Sequence, residues 1–132
     1  MQDGNIKLEW YEHILAESEN YYIKETFESA DLYSKSDNRR IAQVGDFYGD
    51  PEDGLIDRYE RFCITVGCGY IIYFLREPFE DYMYDKNTKQ WIEGGRNADN
   101  TKWIEAVRQV SDNEVEITDE YGNTEIIEIP ML

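Results

Sequence analysis

Short polar turn signals recur along this chain, mostly about ten residues apart, which is the rhythm of a β-meander. They include Ser36-Asp37-Asn38, Gly49-Asp50-Pro51, Asp53-Gly54, Val66-Gly67, Asp85-Lys86-Asn87, Gly94-Gly95, Ser111-Asp112-Asn113 and Tyr121-Gly122-Asn123. Asn, Asp and Gly tolerate left-handed backbone or bond their own main chain, so they end strands. The intervals leave room for strands and for little else.

The segments between the turns agree. FCITVG and YIIYFL, Phe62 to Gly67 and Tyr70 to Leu75, are apolar at successive positions. That pattern suits central strands covered on both faces. In YYIKETF, Tyr21, Ile23 and Phe27 fall on one face with Glu25 as the exception. RRIAQVGDF alternates without naming its inner face. WIEAVRQV, NEVEITDE and NTEIIEI are β-rich runs in which Val115 and Ile117 alternate with Glu114, Glu116 and Thr118, and Ile127 and Ile129 with Ile126 and Glu128, as in a half-buried antiparallel sheet. Leu8 to Glu17 carries Trp10, Ile14 and Glu17 beside Tyr11 and Leu15 at helical spacing, which predicts a short N-terminal helix. Asn100 to Arg108 could start a helix after Asp99, but its β-branched and aromatic residues favour a strand. The expected fold is mainly β: a twisted antiparallel sheet or sandwich with one short N-terminal helix, and α+β as the alternative. Ile64, Val66, Ile71, Tyr73, Trp103 and Val107 are the expected core.

Charge limits function. Lys and Arg total 13 against 29 Asp and Glu, a net charge of −16 on 132 residues. Such a surface repels phosphate backbones and anionic lipid and steers toward basic partners. Acidic disordered chains are poor in aromatics, whereas this one is 14% aromatic with 11 Tyr, which predicts a folded chain. The expectation is a single domain over residues 1–132. No apolar run approaches the roughly 20 residues of a membrane span. The opening MQDGNIKLEW lacks a basic region followed by an apolar stretch, which predicts a cytoplasmic protein. Cys63 and Cys68 read as buried thiols rather than a disulfide, and too few soft ligands stand with them for zinc.

The densest polar cluster is DFYGDPEDGLID, which contributes Asp46, Asp50, Glu52, Asp53 and Asp57. Five carboxylates in one loop could bind Ca²⁺. The EF-hand spacing fails, however, because setting Gly54 at loop position six puts Gly49 and Pro51 at positions one and three. The loop also reads as a solvated turn, or as an acidic contact surface anchored by Phe47 and Tyr48. Acid–base chemistry would need one carboxyl in an apolar pocket, for which Glu60 and Glu77 are candidates. The single histidine, His13, would have to serve any Ser–His–Asp arrangement, and none of Ser18, Ser29, Ser34, Ser36 or Ser111 sits on a Gly-x-Ser-x-Gly elbow.

The stretch VGDFYGDPEDGLIDRYERFCITVGCGYIIYFL, Val44 to Leu75, resembles small bacterial proteins that are similar to the cognate immunity proteins of polymorphic and contact-dependent toxin systems. The resemblance rests on Gly49-Asp50-Pro51 and the paired apolar strands. It implies a cytosolic inhibitor that binds one toxin, often a basic nuclease. The functional expectation is therefore an immunity-type inhibitor, not an enzyme and without cofactor or metal. Asp46, Phe47, Tyr48, Asp50, Glu52, Asp53 and Asp57 are the expected contact residues for a basic toxin domain. Two alternatives stand beside it: a nucleic-acid mimic that occupies a DNA-binding protein, and a carboxylate-based ligand-binding module or enzyme.

Overall fold

The computed structural model describes residues 6–130. The first sheet is a four-stranded meander of β1 (Glu12–Glu17), β2 (Tyr21–Thr26), β3 (Ser29–Ser34) and β4 (Arg40–Asp46). The second repeats the plan with β5 (Asp53–Ile56), β6 (Phe62–Gly67), β7 (Gly69–Phe74) and β8 (Trp91–Gly94). The third has three strands, β9 (Ile104–Ser111), β10 (Glu114–Asp119) and β11 (Thr124–Glu128). Every pairing is antiparallel and joins strands that are neighbours in sequence.

The sheets stack face to face, and the middle one is covered on both sides. Along β6, Phe62, Ile64 and Val66 face the third sheet, where they meet Ile104, Val115 and Ile117. Cys63, from the opposite face of β6, joins Ile71 and Tyr73 of β7 against Ile23, Leu32 and Val44 of the first sheet. This is the physical meaning of the unbroken apolar runs in FCITVG and YIIYFL. Each fully buried aliphatic or aromatic side chain contributes about 1.5–3 kcal/mol. The first strands of the three sheets, β1, β5 and β9, converge. Gly54 permits this, since a Cβ there would lie 3.2 Å from Leu15 Cβ. The outer edge of β4 is closed by the β7–β8 loop: Tyr82 donates its N–H to Gln43 O at 2.9 Å, and Asp81 Oδ1 accepts Gln43 N–H at 2.8 Å.

The N-terminal helix expected from Leu8 to Glu17 is not there, and the α+β alternative falls with it. Glu12–Glu17 is strand β1, paired with β2, and its register slips between Ile14 and Ala16. Leu15 is the extra residue of that bulge. A bulge resets the two-residue alternation and brings apolar residues to intervals that imitate a helical stripe. Among the described residues all regular structure is strand, and there is no helix long and apolar enough to cross a membrane. Two further expectations change. Trp103 lies on a rim at 36% exposure rather than in the core, although Ile64, Val66, Ile71, Tyr73 and Val107 are buried. Asp53-Gly54 begins β5 instead of forming a turn, and Phe27 sits in the β2–β3 turn with φ 55° rather than on the inner face.

Candidate functional site

The registers bring the start of β1, the β2–β3 turn, the β4–β5 loop, the β6–β7 turn, the start of β9 and the β10–β11 turn to one end of the stacked sheets. Most exposed aromatic residues collect there. Trp10 packs edge-on against Tyr11, and Tyr11 stacks on Phe27 at 4.9 Å. Tyr48 and Tyr84 are 79% and 56% exposed, and Tyr121 stands out from the β10–β11 turn. Trp103 follows the β8–β9 connection, bridges to the backbone of Cys68 and lies over Gly49.

Between these residues lies a groove of about 670 Å³, lined by Asp46, Tyr48, Tyr84, Arg96 and Trp103 with Phe47 beneath them. Arg96 holds it together. Its Nε donates to Glu93 Oε1 at 2.9 Å, Nη1 to Cys68 O at 2.7 Å and Nη2 to Asp46 O at 2.6 Å. The guanidinium also stacks 4.8 Å from the Phe47 ring centroid and 5.6 Å from that of Tyr82. One planar fork thus fastens the β4–β5, β6–β7 and β8–β9 connections, a task for which Arg is suited and Lys is not. Gly69, at φ 83°, makes room for it, since a Cβ there would stand 2.2 Å from Arg96 Cγ and 2.5 Å from Gly94 O. The Tyr82 hydroxyl donates to Glu93, and burial followed by that carboxylate pushes the Tyr82 phenol up.

The carboxylates at this end remain outward. Asp46, Asp50 and Glu52 are exposed, and no described cation pairs with them. Glu28 accepts the Gly49 N–H at 2.9 Å and so fixes the loop that presents Tyr48. Nearby on β2, Glu25 is buried. Its carboxyl is pushed up by burial, against the pull of His13 3.6 Å away and with the help of Asp50 and Glu52.

Of the loop residues expected to bind a partner, Asp46, Tyr48, Asp50 and Glu52 are exposed at this end. Phe47 and Asp57 are not available. Phe47 is 3% exposed and belongs to the core between the first two sheets. Asp57 is fully buried: it accepts Arg61 Nε at 2.6 Å, Arg61 N–H at 3.0 Å and Gln109 Nε2 at 2.7 Å. Burial pushes its carboxyl up, but the bonds from Arg61 and Gln109 outweigh this and hold it below the usual range. Asp53 is half-buried and ties two sheets together, accepting Val107 N–H at 3.0 Å. The five carboxylates do not converge, and no group of three or more His, Cys, Asp or Glu among the described residues is placed to hold a metal. Glu60 is also structural. Burial raises its pKa, but hydrogen bonds from Ser18 and Asn20 bring it below the ordinary value. Cys63 and Cys68 are buried free thiols.

Sequence reasoning missed Arg96, Trp103 and Tyr84. Arg96 stands in a polar Gly-Gly-Arg-Asn turn, and two of its partners are backbone carbonyls 28 and 50 residues away, which no local pattern announces.

No family model and no curated protein matches the sequence. Among solved structures, the chain is similar to the C-terminal WD40 domain of Sif2, at a TM-score of 0.59 and 12% identity over 90% of this chain and 34% of that one. The fold is WD40-like. WD40 domains arrange four-stranded sheets as blades around an axis. The three sheets here succeed one another along the chain, with β1 beside β5 and β5 beside β9. The chain spans about a third of the length of the chain it matches.

Proposed function

We propose that this protein is an immunity-type inhibitor, cytoplasmic and acting by binding rather than by catalysis. It would neutralise a basic toxin domain by covering it with the groove end of its sheets. One observation carries the reading: Tyr48, Tyr84 and Trp103 are exposed around one groove lined by Asp46, and the exposed Asp50 and Glu52 stand in the same loop, all three carboxylates free of ion pairs with described residues. Exposed aromatics at the centre of a contact dominate binding energy, and charges at its rim speed encounter with a partner of opposite sign. The net charge of −16 acts in the same direction at long range.

The test has two stages: a gene beside this one should encode a basic toxin domain, and that product is then the ligand for kinetic measurement. Tyr48→Ala and Trp103→Ala should each raise the dissociation rate by about tenfold or more, the effect of losing an interface anchor. Neutralising Asp46, Asp50 and Glu52 together should slow association, and the difference should shrink at high salt as screening removes steering. If both rates are unchanged in every variant, the groove end is not the contact surface. If the neighbouring gene product is acidic and does not bind, the immunity reading fails.

A further inference from the structure

Among the described residues the third sheet has three strands where its two siblings have four. Its last strand, β11, is bonded to β10 on one side, and no described residue pairs with its other side. The register says which groups are free. Asp119 donates its N–H to Asn123 O, and Ile129 donates to Asn113 O. The odd-numbered residues of β11 therefore point their backbone groups at β10, as antiparallel alternation requires. The N–H and C=O groups of Thr124, Ile126 and Glu128 point outward. The neighbouring layer shows the same vacancy. Ile92 of β8 pairs with Ile72, whose side chain lies in the core against the third sheet, yet Ile92 is 39% exposed. It has no counterpart strand above it.

We infer that the open edge of β11, with Ile92 as its apolar seat, receives a β-strand from a basic partner. The argument does not rest on the groove. Edge addition takes affinity from main-chain bonds and selectivity from alternate side chains. Here the inner side of an added strand would lie beside Ile127 and over Ile92, which asks for apolar residues. Its outer side would lie beside Thr124, Ile126 and Glu128 of β11, with Glu114 one strand further in and Glu116 already bonded to Arg108 at 2.7 Å. That side asks for Lys or Arg. A second copy of this chain is a poor occupant. Antiparallel pairing about Ile126 would set the Glu125 carboxylates of the two copies diagonally across the seam, between molecules that each carry −16.

An eight-residue peptide alternating valine and lysine is the probe, and one alternating valine and glutamate is its control. Amide hydrogen exchange of the whole protein is read by NMR. The lysine peptide should slow exchange at Thr124, Ile126 and Glu128 by about tenfold or more, while the amides of the groove loops keep their rates. Ile126→Pro should abolish that protection. It removes an outward N–H and no ladder bond, so an unchanged melting curve shows that the fold is intact. Ile92→Lys should weaken the lysine peptide independently of the edge. The inference is overturned if the three amides are not protected at millimolar peptide, or if the glutamate peptide protects them equally. Protection that grows with protein concentration in the absence of peptide would assign the edge to a second copy instead, and would also overturn it. Loss of toxin binding in groove variants leaves these readouts untouched, so the two proposals can fail separately.

Discussion

The middle and third sheets are built from the same kind of meander and differ in what covers them. Both faces of β6 are buried, whereas β10 and β11 bury one face and present glutamates on the other. Along β6 every side-chain position is packed, so sequence there is dictated by volume. In the third sheet half the positions face water, and sequence is free to carry charge. The contrast places stability in one layer and surface chemistry in another.

Paired substitutions can break that contrast. Phe62→Ala in β6 removes a side chain with no exposed area and should cost about 3–5 kcal/mol. Ile126→Ala in β11, half exposed, should cost no more than about 0.5 kcal/mol. Urea unfolding of both variants measures the ratio. Equal losses would mean that the third sheet is as tightly covered as the middle one.

Two turn carboxylates give the next pair. Asp57→Ala leaves Arg61 and Gln109 without their buried acceptor and should cost about 3 kcal/mol. Asp119 caps the β10–β11 turn in solvent, accepting Tyr121 and Asn123 N–H at 2.9 Å each, and Asp119→Ala should leave the midpoint nearly unchanged. The pH dependence has a definite sign. The folded pKa of Asp57 lies below its unfolded value of about 3.9. Its contribution is therefore complete at neutral pH and is lost as pH falls through the folded pKa. Stability measured between pH 6 and pH 2 should fall less steeply in the Asp57 variant than in the native protein.

The smallest contrast concerns two hairpin glycines with nearly the same φ. Gly69→Ala forces a Cβ to within 2.5 Å of Gly94 O and should cost about 2–3 kcal/mol, while disturbing Arg96. Gly122→Ala, at φ 84° with nothing within 4 Å, carries only the backbone penalty of about 1 kcal/mol. Melting temperatures of the two variants isolate crowding from conformation.

The double-sided burial of the middle strands and the turns at Ser36-Asp37-Asn38, Ser111-Asp112-Asn113 and Tyr121-Gly122-Asn123 were legible in the sequence because they depend on local periodicity and local backbone preference. Three features were hidden. The bulge at Leu15 disguised a strand as a helix, since the count of intervals cannot reveal an extra residue in a ladder. Phe47 and Tyr48 are adjacent aromatics in one acidic loop, yet one fills the core and the other faces water. Which of them does so depends on where β4 ends. Arg96 acts on carbonyl groups that every residue possesses, so its partners carry no signature.

The pairing of each strand only with its sequence neighbour has a kinetic consequence. Among the described residues most strand closures are hairpins, which form in roughly microseconds once their turns are set, and the β7–β8 pairing closes the longer loop over residues 75–90. The events of longest sequence separation are the docking of one finished sheet on another, and these set the folding rate. The middle sheet takes part in both dockings, so substitutions at Ile64 and Ile71 should slow folding, whereas those on the outer face of β10 should leave its speed alone. A chain assembled this way can lose its third sheet reversibly while the first two stay joined, because a single interface holds it.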